Sequence, residues 1–268
     1  MNLVRLKCAL EPRQLVDRLR YQPEIVEIQL FENDMYRPER IIRVIRMLKK
    51  RGIRVYLHHP MRWRGRYLDI LSEDPKRRDF YDWSCSILAE LCKKEQVKCV
   101  VHAHYANTEC SRPGFFWLGK KLRKRIERIR EEAGDWFLWE NTTKGLFSGE
   151  NPSFIQELVK PLELPLCLDI SHSFISLEGD NEKLQQRLAE ASPFIQYYHV
   201  VDSMGAGHDS LPLGKGKVEW AGVLPFLEGR DYIFEIGLEN VLDCTEMVQS
   251  AKYLNQLRAA TLTSFHGS

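Results

Sequence analysis

A chain of 268 residues with 44% hydrophobic composition can bury one large core or two small ones, so length alone does not fix the domain count. Its 39 basic and 37 acidic side chains nearly cancel, and a net charge of +2 demands neither nucleic acid nor an anionic membrane as partner. No apolar run approaches the length of a membrane span, and charges interrupt the opening MNLVRLKCALEPRQ where a signal peptide is apolar. A soluble cytoplasmic protein is expected. The seven cysteines show no C-x-x-C spacing, and Cys8, Cys99 and Cys167 fall inside apolar runs where thiols pack as small hydrophobes, so they are expected to be reduced.

Eight short β-type runs follow one another, each leading into an amphipathic stretch. NLVRLKCAL precedes a helix expected at about 12–20, IVEIQL one at 38–51, IRVYLHH one at 77–95 and VKCVVHAH one at 116–133. DWFLWEN then leads to 152–160, LPLCLDI to 181–191, FIQYYHV to 219–228 and DYIFEI to 243–258. In the second helix Ile41, Ile42, Ile45 and Leu48 share a face, while Arg40, Arg43 and Arg46 recur on another and Gly52 ends the pattern. Strand then helix, eight times, predicts an α/β fold, a (β/α)8 or TIM barrel. With no linker or composition break, residues 1–268 read as a single domain.

Barrel enzymes place their chemistry at the C-terminal ends of the strands. Glu140, Asp169, His199 and Glu235 end four successive runs there, and such residues are poor packing choices but natural ligands of a divalent ion. Seven of the eight histidines fall at or just after a run, all but His266. Of the adjacent His58 and His59 only one is expected to face the mouth, whereas the spacing of His102 and His104 puts both on the same side. Asp169 has a second reading, as the cap of the turn DISHS. Glu140 and Glu235 have one as salt-bridged plugs.

The motifs LHHP, VVHAHY, WENT, CLDISHSF, YHVVDS with GHDSLPLGKG, and FEIG, in this order, resemble the xylose isomerase-like barrel superfamily. That group includes sugar and sugar-phosphate isomerases and epimerases, and the apurinic endonucleases of the endonuclease-four type. In the isomerase branch the resemblance implies that Glu140, Asp169, His199 and Glu235 hold one divalent ion, Mn, Mg, Co or Zn, with Glu140 and Glu235 as catalytic acid and base. In the endonuclease branch it implies up to three zinc ions, with His58, His102, His172 and His208 as additional ligands. Two departures from the endonuclease pattern stand out: His208, Asp209 and Ser210 replace an Asp-x-His pair, and Met61 replaces a DNA-penetrating tyrosine in His58, His59, Pro60, Met61.

Residues 37–66 hold eleven basic side chains against Glu39 alone, and 119–132 hold seven against three acidic ones. Much of this reads as solvated helix face. Arg62, Arg64 and Arg66 instead follow the third strand and suit an anionic substrate, as does Lys215 in the Gly214 to Lys217 loop, where backbone amides can also receive phosphate. The candidate substrate-binding residues are therefore His172, Arg62, Arg64 and Lys215. Three functions follow: a metal-dependent isomerase or epimerase of a small sugar or sugar phosphate, working through an enediolate; a zinc-dependent endonuclease with DNA as partner; and a barrel that binds sugar or metal without turnover. Oligomeric state is not encoded in these features.

Overall fold

All eight apolar runs form parallel strands in the computed structural model, which describes residues 4–104 and 115–265. The barrel strands are β1 (Arg5–Ala9), β2 (Ile25–Gln29), β3 (Arg54–His58), β4 (Lys98–His102), β5 (Phe137–Glu140), β6 (Leu166–Asp169), β7 (Ile195–Val200) and β8 (Asp231–Phe234). Each pairs with its sequence neighbours, and β8 closes on β1 through Leu6 and Phe234. The result is the expected TIM barrel. Tyr105 of the motif VVHAHY and His266 lie outside the described residues.

Helices close to the expected positions cover the strands. That at Pro38–Lys50 begins with a proline, whose missing N–H costs nothing in a first turn, and Gly52 supplies the left-handed φ of +76° beyond its end. Ile41, Ile45 and Leu48 are fully buried against the barrel, while Ile42, placed on the same face by the sequence, is half-buried. Complete burial of such side chains stabilises by about 1.5–3 kcal/mol each. The stretch expected as a helix at 152–160 is instead a π-helical turn at Phe154–Val159 leading into a 3-10 turn. Elements that escape the periodicity include a two-stranded hairpin at 62–67 and short helices at Glu32–Met35 and Ile170–Ser176.

Strand alternation sends Leu6, Cys8, Val55, Leu57, Leu166 and Leu168 outward into the core under the helices. The barrel interior stacks in three levels. At the N-terminal end Arg54 pairs with Asp231 at 2.6 Å, Arg5 pairs with Glu24 at 3.0 Å, and Tyr56 donates to Asp231 at 2.8 Å. Above this ionic plug Ile25, Val100, Leu138, Cys167, Tyr197 and Ile233 pack with Tyr56 into a separate apolar layer. At the C-terminal end every strand contributes or leads into one polar side chain: Lys7, Glu27, His58, His102, Glu140, Asp169, His199 and Glu235. The six described cysteines, Cys8, Cys85, Cys92, Cys99, Cys167 and Cys244, are buried without disulfides. Among the described residues no helix is long and apolar enough to cross a membrane.

Candidate metal centre

Glu140 stands at the middle of the polar ring. Its Oε2 lies 2.8 Å from His102 Nε2 and 3.1 Å from His58 Nε2, and its Oε1 lies 3.0 Å from His199 Nδ1. Two donor groups therefore share one carboxylate: Glu140 with His58 and His102, and Glu140 with Asp169, His199 and Glu235. Within each group one potential ligand atom per residue lies within 4.8 Å of the others.

Asp169 fills the capping role foreseen for it. Its Oδ1 caps the helix at Ile170–Ser176, accepting from the His172 amide at 2.7 Å and the Ser171 hydroxyl at 2.9 Å. Its Oδ2 is left to face His199 Nδ1 and His172 Nε2, each at 4.0 Å. The cap brings His172 back over the ring, where its Nε2 lies 2.8 Å from Nε2 of the exposed His208. His59 points the other way, bonding Ser84 Oγ at 2.7 Å and packing on Tyr81. Burial, then the adjacent His58, lowers its pKa to about 3. His104 lies beyond the strand end, held by Asp69 at 2.9 Å.

Arg62, Arg64 and Arg66 occupy the exposed hairpin after β3. The Arg62 guanidinium lies 4.3 Å above the Tyr67 ring, and that of Arg64 lies 4.5 Å above Trp63. Lys215 is exposed, but its loop does not present its amides outward. Gly214 and Val218 donate instead to the buried Asp202 carboxylate at 2.8 and 3.2 Å, and Lys217 donates to Ser203 at 2.8 Å. Gly216 is needed because a Cβ there would fall 2.2 Å from Asp202 Oδ1. The loop's glycines thus wrap an aspartate.

Lys7 and Glu27 join the ring without ending a run, so the strand-end pattern misses them. Lys7 on β1 and Glu27 on β2 are register partners. Glu27 Oε2 accepts from His199 Nε2 at 2.8 Å, Glu27 Oε1 lies 3.1 Å from Lys7 Nζ, and Lys7 also pairs with Glu235 Oε1. Each is a charge at the centre of a buried pentapeptide, RLKCA or IVEIQ, and that placement is the available signal. A cleft of about 360 Å³ opens beside Lys7, lined by Gln29, Phe31, Met61, Ser210, Glu235 and Gly237 among others.

The ring's donor chemistry fits divalent cations. Four carboxylates, Glu27, Glu140, Asp169 and Glu235, share the layer with one permanent cation, Lys7. Such an excess of buried negative charge is costly unless cations neutralise it. Three imidazoles are oriented to match: His58 Nδ1 bonds the His59 carbonyl, His172 Nδ1 bonds the Asn141 carbonyl, each at 2.8 Å, and His199 Nε2 bonds Glu27. With those nitrogens as donors, the opposite nitrogen of each ring turns a lone pair, or a proton, toward the centre. Glu235 Oε2 is buried without a hydrogen bond, lying against His199 Nδ1. Without metal, protons take part of the load. Burial disfavours the His199 imidazolium, yet Glu235, Glu27 and Glu140 hold its pKa well above 6.5. Burial also opposes ionisation of Glu140, but His102 and His199 keep it well below 4.5; His199 and Lys7 do the same for Glu235.

Comparison with solved structures places the same architecture in proteins of low sequence identity. A D-tagatose 3-epimerase-like protein superposes with a TM-score of 0.76 at 16% identity, over 98% of this chain and all of the other. The TTHB071 protein from Thermus thermophilus, soaked with ZnCl2, gives 0.73 at 19% identity, over 97% and 99%. SacUVDE gives 0.58 at 13% identity, over 92% and 85%. Curated protein sequences give no match. The family model described as xylose isomerase-like TIM barrel matches residues 24–257, and the chain belongs to that family.

Proposed function

We propose that the chain is a divalent-metal-dependent phosphodiester hydrolase acting on nucleic acid, with at least two ions sharing Glu140. The observation that carries this reading is the double use of that carboxylate, Oε2 toward His58 and His102, Oε1 toward His199. His58 and His102 would hold one ion with Glu140, while Asp169, His199 and Glu235 would hold another with the same residue. Paired ions supply Lewis-acid stabilisation of both the attacking and leaving oxygens in such reactions. Glu140 and Glu235 would supply the anionic ligands and the proton acceptors of this centre. Arg62, Arg64 and Arg66, on the exposed hairpin after β3, meet phosphates of a strand laid across the mouth. His172 and His208 face each other at the rim, where they contact substrate or extend the ion cluster.

A one-ion isomerase or epimerase of a small sugar is the second reading. The compact cleft beside Glu235 favours it, since 360 Å³ suits a small ligand. There Glu140 and Glu235 would exchange a carbon-bound proton while Asp169 and His199 complete the ion's ligand set.

Elemental analysis of zinc- and manganese-loaded protein, run beside cleavage of an oligonucleotide duplex carrying an abasic residue, separates the two. Two or more ions with strand cleavage is the expected result. One ion, no cleavage and deuterium uptake into a ketose would overturn the hydrolase in favour of the isomerase.

A further inference from the structure

β1 and β2 contribute no ligand to either donor group, yet they carry two charged side chains in the same layer as those that do. Glu27 is fully buried and Lys7 is 8% exposed. Their contacts form one continuous path. It starts at His199 Nδ1, which faces the carboxylates of Glu140 and Asp169 at 3.0 and 4.0 Å. Across the ring, Nε2 meets Glu27 Oε2 at 2.8 Å. Glu27 Oε1 continues to Lys7 Nζ at 3.1 Å, and Lys7 continues to Glu235 Oε1. The path ends at Glu235 Oε2, which is buried and lies back against His199 Nδ1. Both ends are ligand-type atoms of the same four-residue donor group.

We infer that Lys7 and Glu27 form a positioning relay that aims His199 Nδ1 and Glu235 Oε2 at a single metal ion. The relay rests on reading the strand-end ring as a metal centre, and it holds for either reaction. Glu27 fixes the imidazole by accepting a hydrogen bond from the Nε2–H, which keeps the proton on Nε2 and leaves the Nδ1 lone pair to the ion. Lys7 occupies the other oxygen of Glu235, so that this glutamate presents one oxygen rather than two. Register pairing of Lys7 with Glu27 on adjacent parallel strands makes the arrangement rigid, because neither side chain can turn without breaking an ion pair in a closed barrel. In this role both residues act through His199 and Glu235.

The test is metal binding by the full chain, with no turnover involved. Zn2+ affinity is measured by competition with a chromophoric chelator, and the visible spectrum of the Co2+-loaded protein reports ligand number. Glu27→Ala is expected to weaken the tight site by about 10- to 100-fold, the usual cost of losing such a partner. Glu27→Gln, which keeps an acceptor for Nε2, recovers most of that affinity. Lys7→Met alters the Co2+ spectrum toward higher coordination as Glu235 becomes bidentate, and Lys7→Arg restores it. If Glu27→Ala does not fold, the Lys7 variants carry the measurement. A wild-type spectrum in Lys7→Met, together with wild-type affinity in Glu27→Ala where that variant folds, would overturn the relay alone. A wild-type protein that takes up no ion would overturn the metal reading as well.

Discussion

Replacing Glu140 by Gln strips charge from the carboxylate that both donor groups share. His58 and His102 then stand without an anionic partner, and the larger group falls from four ligands to Asp169, His199 and Glu235 with a weak amide oxygen. Free metal at 100 times Kd stabilises by about 2.7 kcal/mol per ion, hence about 5.5 kcal/mol for two. At about 2 to 4 °C per kcal/mol for a domain of this size, saturating metal should raise the wild-type melting temperature by about 11 to 22 °C over the EDTA-treated protein. In Glu140→Gln the ion between His58 and His102 is lost and the other binds about 10- to 100-fold more weakly. The same free metal then contributes about 1 kcal/mol, a rise of about 2 to 4 °C. Scanning fluorimetry across a zinc titration, with elemental analysis of the same samples, measures both quantities. A variant that retains two ions per chain, or the full wild-type rise, refutes the shared-carboxylate argument.

Changing Arg62, Arg64 and Arg66 together to Ala should leave the melting temperature unchanged and lower the salt dependence of oligonucleotide binding by a slope of about 2 to 3, near one per phosphate contact; an unchanged slope places the nucleic acid elsewhere. Asp202→Ala should destabilise by about 3–5 kcal/mol in urea titration, because the Ser203, Gly214 and Val218 amides and the Trp220 indole all donate to that buried carboxylate; a loss under about 1 kcal/mol contradicts the account. The metal-free protein should lose stability at both ends of the pH range. Glu27, Glu140 and Glu235 have lowered folded pKa values, so their contribution is present above 4.5 and disappears as pH falls through the lowered values. His199 is raised, so its contribution is complete below 6.5 and disappears as pH rises through its folded value. Melting curves in EDTA that are flat from about pH 3 to 10 would contradict these shifts.

The strands and most of the ring are legible because a polar residue ending an apolar run is conspicuous. Glu140 and Asp169 close their strands, His199 stands one residue before the end of its own, and Glu235 follows its own by one residue. Lys7 and Glu27 sit at strand centres, where a lone charge reads as a solvent-facing position until barrel closure shows that the alternate face is interior. The Gly214 to Lys217 loop resembles a phosphate cradle because glycines and lysines alternate, yet the partner of its amides, Asp202, lies twelve residues upstream of Gly214. Asp69, which holds His104, is equally out of reach, being 35 positions away. The hairpin at 62–67 is lost in a run of arginines, since two-residue strands leave no measurable alternation.

The apolar layer of Ile25, Val100, Leu138, Cys167, Tyr197, Ile233 and Tyr56 lies between two charged ends, and it makes the barrel a one-ended device. Protons, ions and water cross such a septum poorly, so the charge of the ring cannot be compensated from the arginine plug below it. Whatever enters the centre must leave by the same opening.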